Sequence, residues 1–345
     1  MYQERPKLDD YMTILIISDI SDLQVYWVTH FLNKWGINHQ IFSPAEYPLK
    51  ITQSTHLSSI SPDCDQWVLE NGNIIDPSKI KSVWYRKPAL PQLPNDLKDY
   101  EREYALNECR QSLYGLYNSL DHAFWISSIH NLRISSNKPL QLRMAISLGF
   151  LIPETLITNE PKQAIEFAER FNGNIIYKTL SDGILYTREG PWEEPRVHGE
   201  IYATFLSGID PKVFGAVRNT PCLFQEYIKK DYELRVTVVH DKVFAVEIHS
   251  QDCSRAKIDW RKANIQDVPH KLHKLPRNIR EKCLALVKGL GLEFGAIDLI
   301  RRHDGEYVFL EINPNGQYGW LEDTIGTQIS EYIAKVLAGK TEKYV

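Results

Sequence analysis

The N-terminal third of the chain alternates short apolar runs with stretches in which apolar residues recur at helical spacing. Strands are predicted at the short runs, in residues 12–19, 37–44 and 82–88. Helices are predicted at residues 22–36, which end in Gly36, and at about residues 97–120. This order opens with a β-α-β unit and predicts an α/β lobe that ends near residues 123–135.

The pattern changes after residue 135, where several consecutive strands follow one another. Helices are predicted at residues 138–149, 161–171 and 277–290. Strands are predicted at residues 174–180, 222–228, 232–241 and 242–251. Residues 181–199 are rich in turn-forming and charged residues, and we expect them to be mobile. The chain therefore divides into an N-terminal α/β domain, residues 1–130, and a second domain with lobes at residues 131–222 and 223–345.

Composition excludes several classes of protein. The chain has 345 residues, of which 43% are hydrophobic and 24% charged, a mixture typical of soluble globular proteins. Its net charge of −4 argues against a general nucleic-acid binder, and no apolar run reaches the about 18–20 residues that span a bilayer. The polar first twelve residues predict a loose arm and not a signal peptide. Five scattered cysteines without a CxxC pair indicate a reducing, cytoplasmic location.

The segment AIDLIRRHDGEYVFLEIN predicts a β-hairpin with a two-residue turn at Asp304-Gly305. Pairing of the residues that flank this turn places Asp298 directly opposite Glu311. Alternation along the second strand puts Glu311 and Asn313 on one face and Leu310 on the other. Two like charges in direct opposition destabilise a sheet unless another group neutralises them.

A bound cation explains this acidic pair. Mg²⁺ takes carboxylate and amide oxygens as ligands, so the sequence predicts a magnesium site at Asp298, Glu311 and Asn313. The alternative is an exposed sheet face with solvated acids. The apolar neighbours on both strands favour the metal site, and such a site commonly serves the phosphates of a nucleotide.

Candidate nucleotide ligands occur upstream of the hairpin. Glu226 and Glu233 stand seven residues apart across a tight connection, so both can lie near one ligand. Strand-end backbone groups can pair with an adenine edge, and a carboxylate can accept hydrogen bonds from ribose hydroxyls. Lys138 and Lys178 could meet phosphates, although each lysine taken alone is better explained as a surface residue.

Taken in order, these residues resemble the ATP-grasp superfamily of carboxylate ligases over about residues 135–339. The resemblance implies an ATP-grasp fold of α+β lobes preceded by an α/β pre-ATP-grasp domain at residues 1–130, with ATP and Mg²⁺ as cofactors. It implies the following roles: Lys138 and Lys178 at the phosphates, Glu226 with the backbone of Tyr227 and Ile228 at adenine, Glu233 at ribose, and Asp298, Glu311 and Asn313 at Mg²⁺. It also places Arg235, Arg261 and Lys178 among the catalytic residues that contact phosphate or an acyl phosphate.

The motifs VWYRKP, VEIHSQ and LEINPNGQYGW resemble the graspetide, or microviridin-type, peptide maturases within this superfamily. That resemblance implies intramolecular ester or amide bonds in a precursor peptide with a leader and an acidic, Thr-rich core, and a homodimer. Residues 181–199 are one candidate surface for the leader. His249 in VEIHSQ is either a structural residue or an acceptor of the nucleophile's proton. The alternatives are a RimK-like ligase that adds a free amino acid, and a non-catalytic ATP-binding module.

Overall fold

The computed structural model describes residues 13–60, 64–187 and 196–341. Its α-helices are α1 (Leu23–Lys34), α2 (Asp99–Ser119), α3 (Ile129–Ser135), α4 (Lys138–Ser147), α5 (Pro161–Arg170), α6 (Arg277–Gly289), α7 (Gly319–Ile325) and α8 (Ile329–Leu337). None of these described helices is both long and apolar enough to cross a membrane. The predicted N-terminal arm lies outside the described residues.

The strands of the N-terminal unit are β1 (Thr13–Ile17), β2 (His39–Phe42), β3 (Thr52–His56), β4 (Cys64–Val68), β5 (Ile74–Ile75), β6 (Ile80–Tyr85) and β7 (Phe124–Ile126). Those of the second unit are β8 (Thr155–Thr158), β9 (Ile175–Lys178), β10 (Ile184–Thr187), β11 (Arg196–Glu200), β12 (Thr204–Phe205), β13 (Cys222–Glu226), β14 (Tyr232–Val239), β15 (Lys242–Ile248), β16 (His270–Leu272), β17 (Phe294–Arg301) and β18 (Tyr307–Asn313). The two compact units divide between Ile129 and His130, and residues from Gln328 onward group with the N-terminal unit.

The N-terminal unit is built on a parallel four-stranded sheet in the order β2-β1-β6-β7. Every residue of β1 is buried, as expected for a central strand of a parallel sheet that is covered on both faces. Strands β3, β4 and β5 form a separate antiparallel sheet. The predicted β-α-β opening and the long helix α2 are confirmed. Arg86 of the WYRKP motif is buried in this unit, where it contacts Asp22 at 3.3 Å and Gln24 at 3.1 Å.

The C-terminal helix α8 packs against α1 and β6 of the N-terminal unit. Its buried side chains, which include Ile329 and Ile333, recur at helical spacing and form an apolar stripe. The Ser82 hydroxyl donates a hydrogen bond of 2.8 Å to the Leu337 carbonyl, which satisfies one of the carbonyls left open at the helix end. The sequence placed residues 328–345 in the second domain, because an amphipathic pattern does not identify the sheet that the helix covers.

The second unit contains two large antiparallel sheets besides the two-stranded sheet of β10 and β11. One has the order β12-β9-β13-β8 and the other the order β16-β15-β14-β17-β18. Helix α6 covers one face of the five-stranded sheet, where a Cβ at Gly295 would lie 3.1 Å from Val287 of α6. Asp298, three positions further along β17, points to the opposite face. That face remains available for a site.

The hairpin of β17 and β18 confirms the predicted pairing of Asp298 with Glu311 but differs from the prediction on either side of it. Arg302 N–H bonds to the Glu306 carbonyl, so the loop has three residues and not two. A β-bulge at Leu310 adds one residue to β18 and offsets this shift. Leu310 and Glu311 both line the cavity, so the bulge interrupts the strict alternation that was predicted for these two residues.

Two strands form within the segment predicted to be turn-rich, one near its start and one at its end. β10 pairs with β11 in an antiparallel hairpin, so the expectation of irregular structure was wrong for Ile184–Thr187 and Arg196–Glu200. The sequence between these strands, residues 188–195, lies outside the described part of the chain. Cross-strand pairing, which no local pattern predicts, stabilises these two short strands.

We predict that Ile333→Ala lowers the free energy of unfolding by about 2–5 kcal/mol, because it opens a cavity between α8 and the N-terminal sheet. Urea denaturation measures this change. Lys335→Ala is the matched control, since the Lys335 side chain is 39% exposed and its pair with Glu331 contributes about 0.5 kcal/mol or less. Equal destabilisation by the two variants would contradict the packing of α8.

Candidate active site

A cavity that opens to solvent lies between the four-stranded and five-stranded sheets of the second unit. Its wall contains most of the predicted site residues: Lys138, Lys178, Glu226, Tyr227, Ile228, Glu233, Arg261, Asp298 and Glu311. Arg235 stands beside this wall on β14. The structure therefore brings together residues that are up to about 170 positions apart in sequence, as chain numbering shows.

The centre of the site is a row of three charged residues across neighbouring strands. Arg235 on β14 pairs with Asp298 on β17, which pairs with Glu311 on β18. Arg235 Nη1 lies 3.0 Å from both carboxylate oxygens of Asp298. Burial raises the pKa of Asp298, and the Glu311 carboxylate adds to this effect against the opposing charge of Arg235. At Asp298 the Arg235 charge therefore opposes the effect of burial without outweighing it.

Two lysines stand beside Glu311. Lys138 is the first residue of α4, and its Nζ lies 3.3 Å from Glu311 Oε2 and 2.8 Å from the Thr179 carbonyl oxygen. Burial raises the pKa of Glu311, but Lys138 and Lys178 outweigh it and hold that pKa below its usual value. Burial also lowers the pKa of Lys178. Two ammonium groups beside a carboxylate form a site that suits a phosphate with its counter-cation.

The described residues fit a magnesium site of few protein ligands. They contain no cluster of three or more His, Cys, Asp or Glu that could hold a metal. The opposed carboxylates of Asp298 and Glu311 are oxygen ligands of the kind that Mg²⁺ takes. Asn313, the third predicted ligand, is exposed at the end of β18, and its Oδ1 accepts a hydrogen bond of 3.0 Å from Asn315 N–H. Asn313 therefore follows Glu311 closely in sequence but does not belong to the cavity wall.

The other end of the cavity is apolar and suits a planar base. The side chains that line it are Ile176, Ile201, Ile258, Ile300 and Leu310. Tyr227 N–H donates to the Asn174 carbonyl at 2.9 Å, so this amide is not available to a ligand. Ile228 N–H has no hydrogen-bond partner among the described residues. Of the backbone amides of Tyr227 and Ile228, only that of Ile228 is therefore available to a ligand.

Glu233 has a partner that the sequence did not reveal. Its carboxylate accepts a short hydrogen bond from Lys230 Nζ, and both side chains are less than one tenth exposed. Burial raises the pKa of Glu233, while Lys230 and the Ser250 hydroxyl oppose that shift. Oε2 of Glu233 has no hydrogen bond of good geometry within the described chain, so one oxygen remains for a ligand hydroxyl. The spacing of three residues between Lys230 and Glu233 was the available signal.

Arg261 is also held by a residue that the sequence analysis missed. Asp259 accepts hydrogen bonds from Arg261 Nε at 2.9 Å and from Nη2 at 2.6 Å. Asp259 is 5% exposed, whereas the Arg261 side chain is 49% exposed and reaches the cavity wall. Arg261 thereby presents the rest of its guanidinium group to the cavity.

His249 directs its hydrogen bond to Glu247, away from the acidic pair. Glu247 pairs with Leu234, and Arg235 pairs with Val246, so Glu247 and Arg235 point to opposite faces. His249 Nε2 lies 2.8 Å from Glu247 Oε2. A second histidine, His273, contacts the other Glu247 oxygen at 2.7 Å. The structural interpretation of His249 is therefore favoured, because its hydrogen bond lies on the face away from the cavity.

We predict that His249→Gln leaves the rate of ADP release within about twofold of wild type but lowers stability by about 1 kcal/mol, since a buried carboxylate loses one donor. Burial raises the pKa of Glu247, yet His273 and His249 bring it below its ordinary value. This stabilisation is therefore present above the ordinary carboxyl pKa and is lost as the pH falls through the folded-state pKa. The variant should consequently show a weaker acid dependence of stability. Loss of turnover with unchanged stability would contradict the assignment.

We predict that Lys230→Met destabilises the fold by about 3–5 kcal/mol, because Glu233 is left buried without its cation. Urea denaturation provides the measurement. Lys229→Met is the matched control, since Lys229 is the exposed neighbour and its replacement should change stability by about 0.5 kcal/mol or less. If both variants were equally stable, the Lys230–Glu233 pair would not be a buried ion pair.

Comparisons with known proteins agree with this architecture. Residues 13–133 match the family described as the MvdD pre-ATP grasp domain, and residues 208–337 match the RimK-like ATP-grasp domain. A search of curated proteins gave no match. Among solved structures, macrocyclase MdnC from Microcystis aeruginosa MRC, bound with precursor peptide MdnA, is 29% identical with a TM-score of 0.80. That alignment covers 95% of this chain and 100% of MdnC.

A second solved structure carries the assignment. It is a RiPP-associated ATP-grasp ligase from Chryseobacterium gregarium in complex with ADP and a leader and core peptide. Its TM-score is 0.85, and the alignment covers 96% of this chain and 98% of that one at 30% identity. The chain therefore belongs to the RiPP-associated ATP-grasp ligases, which are ATP-binding, ADP-forming enzymes.

Proposed function

We propose that the protein is a macrocyclising peptide ligase. It activates Asp or Glu side chains of a ribosomal precursor peptide as acyl phosphates and joins them to Thr or Ser hydroxyls, or to a Lys amine, of the same peptide. The observation that carries this proposal is the opposed pair of Asp298 and Glu311 with Lys138, Lys178 and Arg261 around it. Cations around an acidic pair support chemistry that builds up phosphate charge.

ATP fits the cavity with its base among the apolar side chains and its phosphates toward the lysines. The Ile228 amide is available to the base, and the open oxygen of Glu233 can accept from a ribose hydroxyl. Asp298, Glu311 and, in the proposed set, Asn313 would hold Mg²⁺. When bound, Mg²⁺ neutralises charge on the phosphate oxygens. This proposal keeps every predicted nucleotide residue, and at Tyr227 it uses the backbone carbonyl because the amide is bonded to Asn174.

The chemistry consists of two substitutions. A peptide carboxylate oxygen attacks the γ-phosphorus, and the bond from that phosphorus to the β-phosphate bridge breaks, which releases ADP. The acceptor hydroxyl or amine then attacks the acyl carbon, its proton leaves, and the carbon–oxygen bond to phosphate breaks. Lys178, Arg235 and Arg261 hold the negative oxygens in place during these steps. Each bond formed removes one water from the mass of the peptide.

Lys178 is suited to the phosphoryl side of this reaction because it is buried near both carboxylates. Burial lowers its pKa, and the opposing charge of Glu311 favours its protonated form. A protonated Lys178 can compensate charge on a transferring phosphoryl group that water does not reach. The exposed Arg261 is better placed for the oxygens of the acyl phosphate, since it stands at the cavity wall.

The peptide partner is inferred from the relatives. The related enzymes were captured with precursor peptide MdnA and with a leader and core peptide. We propose a peptide with a leader and an acidic, Thr-rich core for this chain, and the β10–β11 hairpin within residues 181–199 as one candidate leader surface. A homodimer is proposed as well, and the exposed tyrosines Tyr100 and Tyr104 on α2 offer it a surface. ATP consumption agrees with a cytoplasmic location.

We predict that co-expression with the short Thr- and Asp/Glu-rich reading frame nearest the gene removes whole water masses from the peptide. Asp298→Asn should abolish this loss and reduce ADP release by at least about 100-fold, because one anionic ligand of the phosphate counter-cation is removed. Mass spectrometry of the peptide gives the result.

Glu306→Gln is the matched control for Asp298→Asn. Glu306 is an exposed acid on the same hairpin, and its replacement should leave the water loss intact. A mass gain of one amino-acid residue would instead identify the free-amino-acid ligase that the RimK-like match allows. Unchanged cyclisation by Asp298→Asn would contradict the site.

A further inference from the structure

The Asp259 carboxylate accepts hydrogen bonds from two residues, Arg261 and Ala203. It stands just before the short 3₁₀ helix Trp260–Lys262. Oδ1 accepts from the backbone N–H of Arg261 at 3.1 Å and from its Nε at 2.9 Å. Oδ2 accepts from Arg261 Nη2 at 2.6 Å and from Ala203 N–H at 3.3 Å. A plain helix cap would need only the first of these bonds.

The geometry fixes the plane of a side chain that would otherwise be free to rotate. Two parallel bonds between a guanidinium group and a carboxylate define both position and orientation. Arg261 is about half exposed and carries rotamer freedom that the fork removes. Nη1 of Arg261 makes no hydrogen bond within the described residues, so the fork leaves this nitrogen for a ligand. Arg261 also feels the charges of Glu311 and Asp298.

A second element supports the same arginine. The Tyr202 ring lies 5.7 Å from Arg261 Cζ, and the next amide, Ala203 N–H, is the one that bonds to Asp259. The Ile201 amide donates to the Gly183 carbonyl at 2.8 Å, which joins this segment to the base of the β10–β11 hairpin. Arg261 is thus held between the 3₁₀ helix and the chain that leaves the hairpin.

The fork remains charged at the pH of the reaction. Burial raises the pKa of Asp259, but its bonds to Arg261 outweigh burial and bring the pKa below the usual value. The pKa of Arg261 is raised, chiefly by its hydrogen bond to Asp259. Both partners therefore stay ionised, as the fork requires.

We propose that Asp259 is a positioning residue that aims Arg261 at the phosphoryl oxygens without contacting the substrate. This inference rests on the proposed function, because it assumes that Arg261 binds the phosphate of ATP or of the acyl phosphate. It assigns a role to Asp259, a residue that the sequence motifs did not single out. The contrary interpretation is a purely structural acid that caps the 3₁₀ helix.

Guanidinium rescue separates these interpretations. Arg261→Ala should reduce the kcat of peptide-dependent ADP release by about 100-fold or more with little change in the KM for ATP. Free guanidinium, at a concentration too low to denature the protein, should restore a measurable part of that kcat because Asp259 still offers the fork. In the double variant Arg261→Ala with Asp259→Asn, guanidinium should restore nothing.

Two further variants keep the test independent of folding. Arg261→Lys retains the charge but cannot form the fork, so its kcat should fall nearly as far as that of Arg261→Ala. Asp267→Asn is the matched control, since Asp267 is an exposed acid of the next 3₁₀ helix and accepts only from Asn264 at 3.2 Å. Its kcat should equal that of wild type.

Each outcome has one meaning. Equal rescue with and without Asp259, or wild-type kcat in Arg261→Lys, would overturn the positioning role. Additive losses in the double variant would also overturn it, because residues that act through one another are not additive. Failure of the proposed function would give a different result: the wild-type protein would bind ADP but would form no ADP from ATP in the presence of the peptide.

Discussion

The structure depends on one electrostatic constraint: two carboxylates face each other across neighbouring strands in a buried position. The register places Asp298 opposite Glu311, and burial raises the pKa of Asp298. Such a pair destabilises a sheet unless cations surround it. Arg235, Lys138 and Lys178 supply three positive charges from three separate elements. The excess of positive charge around the pair suits a bound phosphate group.

The rest of the second unit arranges ligands around this pair. The four-stranded sheet supplies Lys178 and leads into residues 226–228. The five-stranded sheet supplies Glu233 and the pair of Asp298 and Glu311. The β-bulge at Leu310 interrupts the alternation of β18, and both Leu310 and Glu311 line the cavity. Helix α6 covers the opposite face, where Glu247, His249 and His273 form a separate network. One face of this sheet thus carries the candidate site, and the other carries a hydrogen-bond network away from it.

The sequence was sufficient where local rules decide the outcome. Strand alternation and a turn signal led to the Asp298–Glu311 pairing, although two errors compensated: the loop is longer by one residue and the bulge absorbs the difference. The sequence did not identify the residues that contact these side chains in the folded protein. Lys230 and Asp259 became visible only when the fold placed them against Glu233 and Arg261. The packing of α8 on the N-terminal sheet likewise depends on contacts that no local pattern encodes.

Formation of an acyl phosphate at this site can be followed through the fate of the carboxylate oxygen. A precursor peptide labelled with oxygen-18 in its acidic side chains would be cyclised in unlabelled water, and the released phosphate would be analysed by mass spectrometry. We predict one labelled oxygen in the phosphate for each bond formed, because the carboxylate oxygen leaves with phosphorus. Unlabelled phosphate accompanying labelled bonds would contradict it.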